Sequence, residues 1–273
     1  MRREWVLRWS GYVAVAIVFA IVCVWLSNWQ FERNESRSVE LALVAKNYDV
    51  DPVPLDDLLA PGEPLSEDHT WRPVRLVGAY NVDDQILVRN RPHGGTSAFE
   101  VLVPLRMADG REFLVNRGWV APGESTMPDV IPTPPSGQVE VIVRLRPSEP
   151  LPPSGRTTAP PGQVPTIHLE TVAAVLGDDA LDTGAFGELV SESPAPDTRP
   201  AALPAPTEDP GPHLSYAIQW ILFALMGFIF IGYIIRTEIV KHREDAAGAP
   251  VVEKRRRRDR DADEEDELLD AHV

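Results

Sequence analysis

The sequence predicts an α+β membrane protein in which two transmembrane helices flank an extracytoplasmic antiparallel β-sheet or small open barrel. Three observations carry this. Ser10 to Ser27 and Leu214 to Ile235 contain no charged residue, and each is long enough to cross a hydrocarbon core of about 30 Å at roughly 1.5 Å per residue. Five β-rich runs lie between residues 74 and 147, enough strands to bury one face against another. Basic residues sit on the outer flanks of both apolar segments.

Residues 1–9 form a short stub with Arg2, Arg3 and Arg8, and residues 10–28 form the first span. Its apolar run is too long for a signal peptide. Trp25, Asn28, Trp29 and Gln30 stand where a small-residue cleavage site belongs, so the segment reads as an uncleaved anchor. Arg236, Lys241 and Arg243 follow the second span, residues 213–235. The positive-inside rule then puts both termini in the cytoplasm and residues 28–213 outside.

Residues 29–70 begin as a helical extension of the first span. Val39, Leu41, Leu43 and Val44 continue without a breaker until Asp51-Pro52. Beyond it PLDDLLA suits one helical turn inside a proline-spotted loop. In the β-rich domain, 71–193, strands are expected at 74–80, 86–90, 98–107, 111–120 and 138–147. Ala108-Asp109-Gly110 between two alternating runs is a hairpin signal. In the run after it Phe113, Val115 and Arg117 share one face, and Leu114, Asn116 and Gly118 the other. Residues 168–177 read as a short helix and 187–192 as a last strand. Residues 194–212 are a proline-rich linker to the second span, and 236–273 a charged tail. In the tail Arg255 to Arg258 offer contacts to anionic headgroups, against the plainer reading of a solvated tail.

Charge narrows the function classes. Of the −15 on the chain, −14 falls between Asn28 and His213, which argues against nucleic acid as a partner. The one cysteine, Cys23, lies in the first span, so the outer domain has neither disulfide nor thiolate nucleophile, and no C-x-x-C-H attaches a c-type haem. There is no G-x-S-x-G, H-E-x-x-H, P-loop or G-x-G-x-x-G, and the six histidines show no metal-ligand spacing. The inventory is not that of an enzyme.

One constellation stands out at the outer membrane boundary. His213, Tyr216, Ala217 and Trp220 fall at i, i+3, i+4 and i+7 on one helix face. On the first helix Trp25 and Trp29 stack at i, i+4, followed by Gln30 and Arg33. If the helices pack, these groups meet at one depth, with small Ala217 leaving room for a flat group. Pro212 suits a first helical turn, and the helix dipole at His213 favours the neutral imidazole that a metal requires. Two readings stand: a haem-iron ligand, or an ordinary histidine in an aromatic interface belt. Arg89, Arg91 and Arg117 likewise suit a partner's carboxylates or internal salt bridges.

Four segments together carry a resemblance. Leu26-Ser27-Asn28-Trp29-Gln30-Phe31-Glu32-Arg33, then NRPHGGTSAFEVLVPL, then Asp109-Gly110 with LVNRGWV, then HLSYAIQW resemble, in order, the signatures of the Surfeit locus protein family. Ser27 and Ala98 stand where that family commonly has glycine. The resemblance implies a non-enzymatic assembly factor for haem–copper cytochrome c oxidase. It implies transient binding of haem a, with His213 as iron ligand and Tyr216, Trp220 and Trp29 around it. Its implied partners are oxidase subunit I and haem a synthase. Gln30, Arg33, Asn116, Arg117, Gly118 and Trp119 carry the remaining signatures, with structural or partner-docking roles expected. Proline- and alanine-rich linkers suit a GC-rich bacterium, so the expected location is the plasma membrane. The alternative is a cofactor-free scaffold that stabilises oxidase subunits or a respiratory supercomplex.

Overall fold

The computed structural model describes residues 2–124 and 127–246, with side chains from residue 9 to residue 244. The basic and acidic blocks of the tail, with Arg255 to Arg258, lie outside them. The chain divides into two compact units, Met1–Glu32 with Pro212–Val273, and Arg33–Gly211.

The first unit is a helix pair. Helix α1 (Arg2–Asn47) runs through the first apolar segment and on through the predicted extension, and α3 (His213–Ala246) holds the second. Each contains an 18-residue window of mean hydropathy 2.2, long and apolar enough to cross a membrane. Within this unit the two helices touch through small residues. A Cβ at Gly227 would lie 3.2 Å from the Phe19 ring, and Ser27 Oγ donates to Ala217 O at 3.0 Å, with both residues buried.

The second unit is built on eight strands: β1 (Val53–Pro54), β2 (Pro73–Tyr80), β3 (Ile86–His93), β4 (Thr96–Met107), β5 (Glu112–Val120), β6 (Gln138–Arg146), β7 (Gln163–Val164) and β8 (Phe186–Ser193). One short helix, α2 (Leu169–Leu176), precedes β8. The sheet order is β1-β2-β6-β8-β5-β4-β3-β7, and an additional β2–β4 pairing closes β2, β6, β8, β5 and β4 into a five-stranded barrel. All barrel pairings are antiparallel except β5–β8, which is parallel. Strand β8 slots between β5 and β6 only after the long excursion through β7 and α2, the length of connection that a parallel neighbour requires.

Alternation sorts the side chains. Val101, Val103 and Leu105 of β4 and Phe113 and Val115 of β5 point into the barrel with Val139, Val141 and Val143 of β6. Their neighbours Leu102 and Leu114 point outward into a second core with Ile86, Val88, Leu169 and Val172. Strands β4 and β5 are therefore buried on both faces. The β3–β4 turn is Gly94-Gly95, both at positive φ, as a two-residue turn matched to strand twist demands.

Two features that alternation does not foretell lie near the barrel mouth. Trp71 has a φ of +72°, unusual for a bulky residue. Its N–H donates to Leu145 O at 2.9 Å, and the Arg146 guanidinium lies 3.6 Å from its ring centroid. The proline-rich linker is also held: Ala201 and Trp119 exchange backbone hydrogen bonds at 2.9 Å. Further on, Arg37 donates to Thr207 O at 2.8 Å and to Asp209 O at 3.3 Å.

Candidate functional site

Helix α3 begins at His213, and Pro212 O accepts the Tyr216 N–H at 3.0 Å, so proline opens the helix without wasting a donor. Nδ1 of His213 lies 3.0 Å from Oε1 of Gln30 on α1. A neutral imidazole that donates from Nδ1 to this amide oxygen keeps the lone pair on Nε2. Metal-ligating histidines are characteristically held in this way by a second residue that fixes the tautomer and the ring.

His213 and Trp220 are half-buried, while Tyr216 and Trp29 are exposed. Trp220 meets Phe223 edge-on at 5.7 Å. One expectation is corrected here: Ala217 leaves no room for a flat group, because it is fully buried against Ser27. Its small side chain serves helix packing instead. The hydroxyl of Ser27 finds its acceptor in that same contact. Arg33 follows Gln30 on α1 but belongs to the other compact unit.

Among the described residues no group of three or more His, Cys, Asp or Glu can hold a metal ion. What the helix pair offers is a single oriented imidazole nitrogen. That suits a metal that brings most of its own ligands and lacks only an axial one.

The four residues of the β5 signature separate. Asn116 is buried and donates to Glu100 Oε2 at 2.8 Å. Arg117, 1% exposed, pairs inside the barrel with Glu192 at 2.8 Å and donates to Pro132 O at 2.9 Å. Tyr80 donates to the same Glu192 at 3.0 Å. Burial, then the Glu192 charge, pushes the Tyr80 phenol far above its ordinary range. Gly118 has a φ of +120°, and a Cβ there would collide with the Ala201 carbonyl oxygen. Trp119 stacks on His93 with ring centroids 5.5 Å apart. Arg91 and Arg117 are thus both spent on internal ion pairs.

The sequence did not reveal a cleft of about 320 Å³ in the second unit, walled by the α1 extension, the barrel and the linker. Arg91 and Glu100 meet there at 3.3 Å, His93 Nε2 reaches Glu100 at 2.9 Å, and Arg91 reaches Glu149 at 2.5 Å. Burial alone would raise the Glu149 carboxyl, but the Thr166 hydroxyl, Arg91 and the Ile167 N–H outweigh it and hold it below its ordinary value. Glu188, 3.2 Å from Arg146 Nε, is pushed up by burial, with Glu100 and Glu149 adding to the shift against the Arg146 charge. These residues come from six separate segments. The available signal was confined to Arg91, Asn116 and their motif neighbours.

SURF1-like proteins of Mycobacterium bovis and of two strains of Mycobacterium tuberculosis are each 35% identical over 249 residues, covering 90% of this chain and 90% of the relative. The SURF1 family pattern matches residues 17–225, from the middle of the first apolar segment, through the whole barrel, to beyond His213. The chain belongs to the SURF1 family.

Proposed function

We propose that this protein is an assembly factor for a haem–copper cytochrome c oxidase. It holds haem a at His213 for insertion into oxidase subunit I, near haem a synthase. The observation that carries the reading is the 3.0 Å contact between His213 Nδ1 and Gln30 Oε1, which in the Nδ1–H tautomer leaves Nε2 as an acceptor. Haem, when bound, supplies an iron that takes a nitrogen ligand from the protein. His213 would hold that iron, and Gln30 would hold the imidazole ring in place. The exposed rings of Trp29 and Tyr216, with half-buried Trp220, supply apolar surface for a macrocycle. The membrane is a bacterial plasma membrane, with both termini cytoplasmic and the barrel outside.

The test is the absorption spectrum of protein purified from cells that make haem a. Wild type is expected to carry a haem spectrum and His213→Ala to lose it. Gln30→Leu is expected to weaken haem binding about 10–100-fold, as loss of a supporting residue does at other metal sites. Gln30→Glu, which keeps the acceptor, is expected to retain binding. An unaltered spectrum in His213→Ala would overturn the ligand assignment.

The exposure of Trp25, Trp29 and Tyr216 also favours a second reading. Such rings serve membrane interfaces without any ligand, and the protein then acts as a cofactor-free scaffold for oxidase subunits. Deleting the gene separates the two. Loss of subunits with haem a insertion intact supports the scaffold, whereas assembled oxidase lacking haem a supports delivery.

A further inference from the structure

The charged cleft of the second unit is not used by the haem reading, yet residues of two family signatures, Arg91 with His93 and Asn116, converge on it. Arg91 Nε and Arg146 Nε make ion pairs but no hydrogen bonds, while the carboxylates of the cleft other than Glu188 are bonded internally. Glu100 accepts from His93 and Asn116 and forms an ion pair with Arg91 Nε at 3.3 Å. Glu149 accepts from Arg91, from Thr166 at 2.6 Å and from the Ile167 N–H at 2.9 Å. Glu40 takes its bond from Arg37. Glu188 differs: it accepts no hydrogen bond from any described residue, and its one ion pair is to Arg146 Nε. A carboxylate has about four acceptor sites, so one that is 21% exposed and stripped of most of its water is left short of donors.

The charge balance gives the sign of what is missing. Three guanidinium groups, on Arg37, Arg91 and Arg146, face four carboxylates, on Glu40, Glu100, Glu149 and Glu188. The cleft thus holds one more carboxylate than guanidinium group. An anionic ligand would double that excess, whereas a cation removes it and brings the donors Glu188 lacks. The rest of the wall suits a cation on an apolar stem. Leu203, Pro204 and Pro206 of the linker line it together with Ile167 and Trp71, surfaces along which the methylenes of a basic side chain pack while its head reaches a carboxylate.

The wall is also built in place. Gly118 admits the Ala201 carbonyl, Arg37 grips Thr207 and Asp209, and Trp71 takes up a left-handed backbone where its ring carries Arg146. Strain of this kind is kept where the surrounding structure fixes it, commonly at functional sites. The geometry points to this cleft as a receptor for a lysine or arginine side chain presented by a partner protein, with Glu188 as the group that takes the cationic head. The acidity of the domain draws a basic partner toward it over longer range.

The test uses the full chain in detergent and three blocked tripeptides, Gly-Arg-Gly, Gly-Citrulline-Gly and Gly-Glu-Gly, titrated with broadening of the peptide NMR signals as readout. Citrulline keeps the shape of arginine and removes its charge. The arginine peptide is expected to bind with a dissociation constant of about 1 mM, within the range of a single-side-chain contact, and citrulline about tenfold more weakly. Glu188→Gln is expected to lose the arginine preference with its thermal melting unchanged. Glu140→Gln, which removes an exposed carboxylate of β6, is expected to keep it. Equal binding of arginine and citrulline, tighter binding of the glutamate peptide, or equal losses in both variants would each overturn the assignment. The peptide comparison on wild type decides the matter even if Glu188→Gln fails to fold, and none of its arms depends on haem.

Discussion

Asn116, Arg117, Gly118 and Trp119 are consecutive, yet each answers to a different neighbour. Arg117 matters most for stability, because its guanidinium is sealed inside the barrel with Glu192, the Tyr80 hydroxyl and the Pro132 carbonyl. Removing one partner of such a pair strands the other charge. Arg117→Ala is therefore expected to cost about 3–5 kcal/mol in chemical denaturation. Replacing Arg117 and Glu192 together with Met and Leu is expected to cost much less, since no unpaired charge then remains. A second residue sets a pH dependence. Glu112 is fully buried; Oε1 is bonded to Arg106, and Oε2 and Asp178 Oδ2 both lack a donor. Burial, with Asp178 adding to it and Arg106 opposing, raises the Glu112 carboxyl above its ordinary 4.5. A raised folded-state value means that its contribution is fully present below about 4.5 and is lost as pH climbs through the higher value. Denaturation of Glu112→Gln and wild type across that window is expected to move in the variant's favour with rising pH. Glu149, held below its ordinary value, acts with the opposite sign, its contribution fading as pH falls.

At the scale of elements, what was legible follows locality. The strands of the barrel announced themselves because β-rich runs and their turn signals are properties of five to ten neighbouring residues, even though burial of β4 and β5 on both faces removes the polar–apolar alternation there. The short helix was equally plain: the His168 side chain accepts from the Thr171 N–H, and Gly177 closes the helix in the left-handed conformation. What was not legible depends on distant partners. No local pattern places β8 between β5 and β6, or brings Glu100, Glu149 and Glu188 to one cleft. The face of α3 was legible from spacing, but the partner of His213 sits 183 residues away on α1. Nothing in the composition of 194–212 says that a proline-rich stretch is tied to β5. That tie is testable. Ala201 donates its N–H to Trp119 O and lies against Gly118, so Ala201→Pro removes the donor and Gly118→Ala blocks the approach. Each is expected to cost about 1–2 kcal/mol and to speed limited proteolysis within residues 194–212. The barrel strands should stay resistant, because their own pairings are untouched.

At the scale of the whole molecule, helices long and apolar enough to span a membrane precede and follow the barrel unit, Arg33–Gly211, in sequence. A chain that crosses at both helices has the residues between them on one side and both termini on the other, and charge predicts which. Arg2, Arg3 and Arg8 before the first span, and Arg236, Lys241 and Arg243 after the second, lie close enough to the membrane to direct insertion. The acidic residues of the barrel weigh little in that rule. A single-cysteine experiment reads the answer directly. The natural cysteine, Cys23, is completely buried in α1, so wild type is expected to give no signal with a membrane-impermeant maleimide. Val130, in the loop between β5 and β6, is 73% exposed, and Val130→Cys offers a thiol without touching either core. Intact cells carrying Val130→Cys are expected to be labelled without permeabilisation, and a cysteine introduced at Lys241 only after it. The reverse pattern would put the barrel in the cytoplasm. It would also move His213 to the inner boundary of the membrane, because that residue opens α3 on the barrel side.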